Sequence, residues 1–111
     1  MKKPKFEIKS GKDGKTCYQL KNGNGEVILT GFGIASKSEA IQMIALVMRY
    51  GLYDRRFIRK ETITGKYYFQ LRTPSGRVIG RSELYHSYQG RENGINAIRM
   101  AVQYGRVLDL N

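Results

Sequence analysis

The chain contains a single cysteine and a single histidine among its 111 residues. A conventional zinc site needs three or four Cys, His or carboxylate ligands, so these two residues do not predict one. One cysteine also excludes a disulfide within the chain and is consistent with a reducing compartment. The longest apolar run, residues 41–48 with Gln42 inside it, is far shorter than the roughly 20 residues that span a bilayer. We therefore expect a cytoplasmic protein with no membrane segment, no metal and no cofactor.

Acidic residues are scarce. Nine Asp and Glu stand against 20 Lys and Arg, which gives a net charge of +11 and a pI near 10.0. Hydrophobic residues make up 41% of the chain, a content that excludes a disordered basic tail and suits one modest core. We expect a single domain over residues 1–111. Solubility alone needs a smaller net charge on a small domain, so the excess favours a polyanionic partner.

The second half of the sequence repeats the first. A shift of 51 residues aligns the halves without a gap from Phe6 to Tyr50, and eleven of these 45 positions are identical. Chance gives roughly three identities, so the pattern indicates a duplication, with repeats at about 5–51 and about 55–111. The positive charge is duplicated too, but eight of nine basic residues in 1–51 are lysine and nine of eleven in 52–111 are arginine.

Each repeat has the pattern of three strands followed by a helix. Segments of alternating polar and apolar residues are separated by Gly- and Asn-rich turns, which accept positive φ at low cost. Two such units can share one sheet, which solves the problem that a three-stranded meander with one helix is small for independent stability. The pattern predicts strands at 5–10, 15–21, 26–32, 55–62, 66–72, 77–82 and 106–110.

Two helices follow from capping and spacing signals. Ser36 and Glu39 fit a capping box, and Gly51 is a plausible stop for the first helix. The second helix is expected from about Gln89 to Tyr104. Apolar spacings of three and four residues predict the buried faces: Ile41, Ile44, Ala45 and Met48 on the first helix, and Gly94, Ile95, Ile98, Ala101 and Val102 on the second.

The repeat resembles the YegP-like family, a domain-of-unknown-function family of small bacterial and archaeal proteins. The resemblance is carried by Gly65-Lys66-Tyr67-Tyr68-Phe69-Gln70-Leu71 and Gly76-Arg77-Val78-Ile79, and by residues 20–29 of the first half. The first half departs from the family pattern at Thr16, Cys17 and Gly33. The resemblance implies an α+β fold in which two tandem β3-αβ repeats share one antiparallel sheet, with helices on one face and the last strands exchanged. It implies no activity.

Strand alternation places the candidate site on the face of the sheet that carries no helices. Apolar residues such as Phe6, Tyr18 and Phe69 should face the helices, which turns their neighbours outward. A curved face of basic, amide and tyrosine side chains could follow a polyanion backbone. The candidate binding residues on this face are Lys9, Gln19, Lys21, Lys60, Tyr68, Gln70 and Arg72. The basic run at 55–60, expected as an edge strand that could also contact phosphates, adds Arg55, Arg56 and Arg59. Two other interpretations stay open: a plainly solvated face, and charges on residues 55–60 that prevent edge-to-edge aggregation.

Other residues give weaker signals. Tyr53, Tyr68 and Tyr88 are the tyrosines best placed for stacking on bases. The chain lacks the signature of an RNA-recognition motif and a helix-turn-helix, so any sequence specificity should be weak. His86 has Ala35 at the equivalent position and no nucleophile nearby, and Cys17 lies on a strand, where a reactive thiolate would need a helix N-terminus or cations beside it. Catalysis is not expected.

Two classes of function remain. The first is a small, non-enzymatic basic protein that binds nucleic acid, RNA or DNA, or another polyanion through the sheet face. The second is a protein-interaction module that docks an acidic protein partner or self-associates through a sheet edge. Either class is compatible with a monomer or a homodimer. The sequence does not choose between them.

Overall fold

A computed structural model describes residues 3–11, 13–104 and 106–107. One seven-stranded sheet runs through both repeats in the order β4-β5-β6-β3-β2-β1-β7. The α+β architecture and the sharing of one sheet by two repeats, both expected from the sequence, are confirmed. The elements are β1 (Lys5–Ser10), β2 (Thr16–Lys21), β3 (Val27–Ile34), α1 (Lys37–Tyr50), β4 (Phe57–Glu61), β5 (Tyr67–Arg72), β6 (Val78–Arg81), α2 (Tyr88–Tyr104) and β7 (Arg106–Val107).

The four hairpin turns share one geometry. Each ends in a glycine with φ between 77° and 89°, a conformation that residues with a Cβ rarely adopt. In each turn that glycine donates its N–H to the carbonyl three residues earlier. The turns occupy equivalent positions in the two repeats, because Gly14 and Gly25 of the first correspond to Gly65 and Gly76 of the second.

An approximate twofold axis relates the repeats. The two halves of the sheet meet at β3 and β6, which are antiparallel with Thr30 opposite Arg81. These two residues are 51 positions apart, which is the offset of the duplication. The axis therefore passes between Thr30 and Arg81, and it relates the pairings β1–β2 and β2–β3 of the first repeat to β4–β5 and β5–β6 of the second.

Both repeats also carry a β-bulge on their third strand. In the first, Leu20 pairs with Leu29 and Lys21 with Val27. In the second, Leu71 pairs with Gly80 and Arg72 with Val78. One residue is skipped on β3 and one on β6, so the strict alternation of faces shifts by one position there.

The helices cover one face of the sheet, and the core lies between. Phe6, Tyr18 and Leu20 from the first repeat and Phe69 and Leu71 from the second are fully buried there. Helix α1 begins at the predicted N-cap: Ser36 Oγ accepts from the Glu39 N–H at 3.1 Å. The Glu39 carboxylate accepts from the N–H of Ala35, the residue before the N-cap, at 3.3 Å. The equivalent Ser87 caps α2 through the N–H of Gly90 at 3.0 Å.

The predicted buried face of α2 is confirmed, and that of α1 is wrong by one position. Ile41 is 46% exposed and Ala45 is exposed, whereas Ile44 is buried. Two overlapping sets of residues on α1 have the spacing of three and four, so periodicity alone could not choose between them. The observed set begins with alanine, whose small side chain lets the helix approach the sheet. The buried residues of α1 are Ala40, Met43, Ile44 and Val47.

The ends of the two repeats differ. β7 of the second repeat lies parallel to β1 of the first, which is the expected exchange of a last strand. Residues 108–110 of the strand predicted at 106–110 lie outside the described residues. After α1 ends at Tyr50, with Gly51 as its cap, the chain forms a 3-10 turn over Asp54–Arg56. The strand predicted at 55–62 accordingly begins at Phe57.

Tyr18 holds the two repeats together beneath β3. Its hydroxyl, fully buried, donates to the carbonyl oxygen of Ile79 on β6. A Cβ on Gly31 would lie 2.1 Å from Cε2 of Tyr18, and one on Gly80 would lie 2.6 Å from its hydroxyl oxygen. Both glycines are therefore required by the close approach of this ring.

Candidate polyanion-binding site

The face of the sheet opposite the helices, here called the outer face, carries seven of the ten candidate residues. The strand pairings align these side chains in a row across the sheet. Gln19 lies opposite Thr30, Thr30 opposite Arg81, and Arg81 opposite Gln70. This row continues to Ile58 on β4 and to Glu7 on β1. The candidates on the outer face are Lys9, Gln19, Lys21, Lys60, Tyr68, Gln70 and Arg72.

The first-repeat patch consists of Lys5, Glu7, Lys9, Gln19 and Lys21. Glu7 is 6% exposed and lies among three ammonium groups. Its carboxylate is 2.9 Å from Nζ of Lys21, 3.3 Å from that of Lys5 and 3.7 Å from that of Lys9. The hydrogen bond from Lys21, with a further one from Lys5, lowers the pKa of Glu7 below its ordinary value. Glu7 is therefore charged at neutral pH and neutralises part of this patch.

A phosphate that approached the first-repeat patch would compete with Glu7 for the same ammonium groups. Each lysine would have to exchange an existing ion pair for a new one, so the net gain would be small. Gln19 makes this half still less accessible, because its Oε1 is buried and has no hydrogen-bond partner among the described residues. We conclude that Lys9 and Lys21 lie where predicted but are already engaged.

The second-repeat patch consists of Lys60, Tyr68, Gln70, Arg72 and Arg81. Gln70 Oε1 accepts from Nε and Nη2 of Arg72 at 3.1 and 2.6 Å. The Arg81 guanidinium lies over the Tyr68 ring, with Cζ 4.9 Å from the ring centroid. Both guanidinium groups are thus oriented by neutral neighbours and keep N–H donors for a ligand.

Among the side chains that the structure describes, no carboxylate lies within ion-pair distance of Lys60, Arg72 or Arg81. The position equivalent to Glu7 is occupied by Ile58, which lies opposite Gln70 on the outer face. The two patches therefore have similar layouts and different electrostatics. A phosphate meets no competing anion in the second.

Arg81 was missed by the sequence argument. Strict alternation places it on the same side as Ile79, which is buried against the helices. The β-bulge at the third strand moves Arg81 to the outer face instead. The only signal in the sequence was its correspondence to Thr30 by the repeat offset.

Arg59, a candidate from the basic run at 55–60, lies on the helix side of the sheet. It shares its side of β4 with the buried Phe57 and faces α2. Its guanidinium forms ion pairs with Glu92 and Asp54, each at 2.9 Å. These carboxylates raise the pKa of Arg59, and Arg59 in turn lowers the pKa of Glu92 and of Asp54. The position of Phe57 relative to Arg59 was a usable signal, since residues two apart on a strand share a face.

Arg55 and Arg56 lie on the 3-10 turn instead of a strand. The Arg55 guanidinium lies over the ring of Tyr53, at 5.1 Å from its centroid. The run of basic residues at 55–60 is therefore divided among the turn, the helix side of the sheet and the outer face. Of this run, Lys60 alone joins the second-repeat patch.

The three tyrosines expected to be available for stacking each have an arginine over the ring. Tyr88 is paired with Arg91, whose Cζ lies 5.2 Å from its centroid and 5.2 Å from that of Tyr67. Arg91 is buried and donates to the carbonyl oxygen of Lys60 at 2.9 Å. Tyr88 is thus part of a structural contact between α2 and β4, whereas Tyr68 lies on the outer face.

An exposed aromatic residue that the sequence argument did not select lies beside the second-repeat patch. Phe32 is 69% exposed. It lies with Gly33 in a bulge where two residues of β3 stand opposite Cys17, and Gly33 has a φ of 65°. The departure from the family pattern at Gly33 therefore has a structural reason, because a residue with a Cβ rarely adopts that conformation.

The remaining candidates for chemistry make few contacts. Cys17 lies opposite Lys9 on the outer face. His86 is exposed, and its Nδ1 is 2.7 Å from Nζ of Lys66. Among the described residues no cluster of three or more Cys, His, Asp or Glu could hold a metal ion. In the same part of the chain no helix is long and apolar enough to cross a membrane.

The shared sheet, the matching hairpins and the axis at Thr30 and Arg81 define a duplicated α+β protein. The family model described as "Domain of unknown function (DUF1508)" matches the chain twice, at residues 12–57 and 64–109. The UPF0339 protein YegP of Escherichia coli (strain K12) is 36% identical over 94 residues, which cover 85% of this chain and 86% of that protein. A UPF0339 protein of Acinetobacter baylyi is 37% identical over 105 residues, 95% of each chain.

Solved structures agree with this assignment. The solution NMR structure of yegP from E. coli, described as a protein of unknown function, has a TM-score of 0.91 and 33% sequence identity, over 99% of this chain and 95% of that chain. That of a UPF0339 protein from Shewanella oneidensis has a TM-score of 0.89 and 30% identity, over 96% and 91%. The chain belongs to the DUF1508 family, as a tandem pair of its domains. The family resemblance seen in the sequence is confirmed.

Proposed function

We propose that this protein binds nucleic acid or another polyanion through the second-repeat patch, with weak sequence specificity and without catalysis. The observation that carries the proposal is the placement of Lys60, Arg72 and Arg81 on one face without a carboxylate partner among the described side chains. The net charge of +11 supports it, because long-range attraction speeds the encounter with a polyanion.

The chemistry of the patch suits phosphate. Arginine presents several N–H donors in a fixed plane that matches phosphate oxygens. Arg72 and Arg81 are diagonal neighbours on adjacent strands, where side chains start about 7–8 Å apart. Lys60 lies opposite Tyr68 on the next strand. These contacts hold a backbone in place without reading base edges, which is why specificity should be weak.

The test compares two double variants of equal charge. Arg72→Gln/Arg81→Gln and Lys5→Gln/Lys9→Gln each remove two positive charges, one pair from each patch. Fluorescence anisotropy with labelled single-stranded RNA, single-stranded DNA and duplex DNA, at three salt concentrations and with heparin as a competitor, gives affinities and salt dependence.

We expect the arginine variant to lose about tenfold in affinity for each arginine, since a hydrogen bond to a charged group is worth roughly 1.5–3 kcal/mol. The slope of log affinity against log salt should fall by about 1.4 for a single strand. The lysine variant should change far less. Equal losses in the two variants would mean that binding follows net charge alone, which contradicts the proposal.

The second-repeat patch could instead hold an acidic protein. In that case generic nucleic acid would not bind at physiological salt, and the proposal would fail at its first titration.

A further inference from the structure

A cleft opens between the two repeats at the edge of the second-repeat patch. Beyond the pair Thr30 and Arg81, in the direction of Phe32 and Val78, residues of β3 and β6 line an opening with Met43 of α1. We call it the seam cleft. Its lining residues are Thr30, Gly31, Phe32, Met43, Gln70, Val78, Ile79, Gly80 and Arg81.

The walls of the seam cleft combine apolar surface with polar groups. Phe32 and Val78 are 69% and 42% exposed, so apolar surface is in contact with water at its mouth. Thr30, which is 6% exposed, adds a hydroxyl group to the lining. Gln70 uses its oxygen to hold Arg72, so its amide N–H groups are what it can offer a ligand. A flat ring with polar edges suits such a site.

The size of the cleft limits its occupant. Its volume is about 180 Å³, compared with about 30 Å³ for one water molecule in the liquid and roughly 300–1,000 Å³ for pockets that hold drug-sized ligands. It has room for one ring system at a time.

The arginines beside the seam cleft indicate what kind of ring it would bind. Arg81 lines the seam cleft and also belongs to the second-repeat patch, where Arg72 is its diagonal neighbour. A backbone whose phosphates contact these arginines therefore passes the mouth of the cleft. The ring that such a backbone carries is a nucleobase, and a base stacks on an aromatic side chain such as Phe32.

We propose that the seam cleft accepts one unstacked nucleobase of a single-stranded nucleic acid, with Phe32 as its stacking platform. This inference rests on the proposed binding of polyanions by the second-repeat patch and adds that the ligand is single-stranded. A duplex keeps its bases paired and stacked, so it can use the arginines but not the cleft.

The experiment compares three ligands with equal numbers of phosphates: a single-stranded oligothymidylate, a strand of the same length made of abasic sites, and a duplex. Fluorescence anisotropy is measured for the unchanged protein, for Phe32→Ala, and for Ile63→Ala as a control. Ile63 is a fully exposed apolar residue on the turn between β4 and β5, remote from the cleft. Because Phe32 is exposed, its removal should leave the melting temperature nearly unchanged.

We expect the unchanged protein and Ile63→Ala to bind the thymidylate strand about tenfold more tightly than the abasic strand. Phe32→Ala should lose this preference and keep its affinity for the abasic strand. Phe32→Tyr, which keeps an aromatic ring, should retain the preference.

The outcomes separate the two proposals. If the unchanged protein binds the abasic and thymidylate strands equally, the cleft does not take a base, while the second-repeat patch still binds polyanions. If Phe32→Ala weakens binding of both strands equally, Phe32 supports the patch and the inference is wrong. If no strand binds, the proposed function itself fails.

Discussion

The two halves of the outer face began as copies and now differ in one decisive residue. Glu7 of the first repeat is buried among three lysines, whereas Ile58 of the second has the equivalent position beside Gln70. Lysine and arginine also divide between the halves. The comparison shows that a count of basic residues does not locate a binding site, because the partner of each cation decides whether it is available.

A second contrast between the repeats lies under the sheet. Tyr18 and Phe69 are equivalent and both fully buried, but the Tyr18 ring extends beneath β3 to β6. Its neighbour on β3 is Gly31, and the residue equivalent to Gly31 is Ser82, whose Oγ accepts from the Phe69 N–H at 3.0 Å. In the first repeat, the missing side chain of Gly31 leaves space for the Tyr18 ring. In the second repeat, the side chain of Ser82 forms a hydrogen bond with the backbone of Phe69.

The largest effect on stability is expected when Gly31 of the first repeat is replaced by serine, the residue at the equivalent position 82 of the second repeat. Gly31→Ser places a Cβ 2.1 Å from Cε2 of Tyr18, and this overpacking should lower the free energy of unfolding by about 3 kcal/mol or more. Ser82→Gly should cost about 1–2 kcal/mol, through a lost hydrogen bond and a more flexible chain. Urea denaturation of both variants measures the difference. Equal losses would show that the ring of Tyr18 can move aside.

A smaller loss of stability is expected when Tyr18 is replaced by phenylalanine, the residue at the equivalent position 69. Tyr18→Phe removes the hydroxyl that donates to the Ile79 carbonyl and leaves a buried acceptor without its partner. We expect a loss of about 1–3 kcal/mol, seen as a lower melting temperature. An unchanged melting temperature would mean that the Ile79 carbonyl finds another donor.

The smallest effect is a change in pH dependence. Because the pKa of Glu7 is lowered in the folded protein, its carboxylate contributes stability above its ordinary pKa of about 4.5. That contribution is lost as the pH falls through the lowered value. Glu7→Gln should therefore lose less stability between pH 7 and pH 3 than the unchanged protein, while Asp54 and Glu92 near Arg59 still titrate. Identical pH profiles from urea denaturation would contradict the assigned role of Glu7.

Much of the fold follows from the sequence because its signals are local. Glycines at the four turns define the hairpins, and the offset of 51 residues makes Thr30 and Arg81 equivalent, which the register then places opposite each other. The buried face of α1 did not follow, since Ile41 and Ala40 begin two sets with the same spacing. Nor did the position of Arg81, because a bulge reverses the alternation before it.

The candidate site was harder to predict than the fold. The segment Lys5-Phe6-Glu7-Ile8-Lys9 already places Glu7 on the same face as its lysine neighbours, and Phe57 already places Arg59 on the helix side. Both placements follow from the alternation of side chains between the two faces of a strand. The approach of Lys21 to Glu7, and the seam cleft beside Phe32, depend on how strands from different parts of the chain come together.

The most direct test of the account exchanges the two residues that distinguish the patches. The double variant Glu7→Ile/Ile58→Glu keeps the net charge and releases the three lysines of the first-repeat patch while adding a carboxylate to the second. Anisotropy titrations with single-stranded DNA would be repeated in this background with Lys5→Gln/Lys9→Gln and with Arg72→Gln/Arg81→Gln. The account predicts that affinity now depends on the lysines and no longer on the arginines. If affinity still depends on the arginines, Glu7 and Ile58 do not determine which patch binds the nucleic acid.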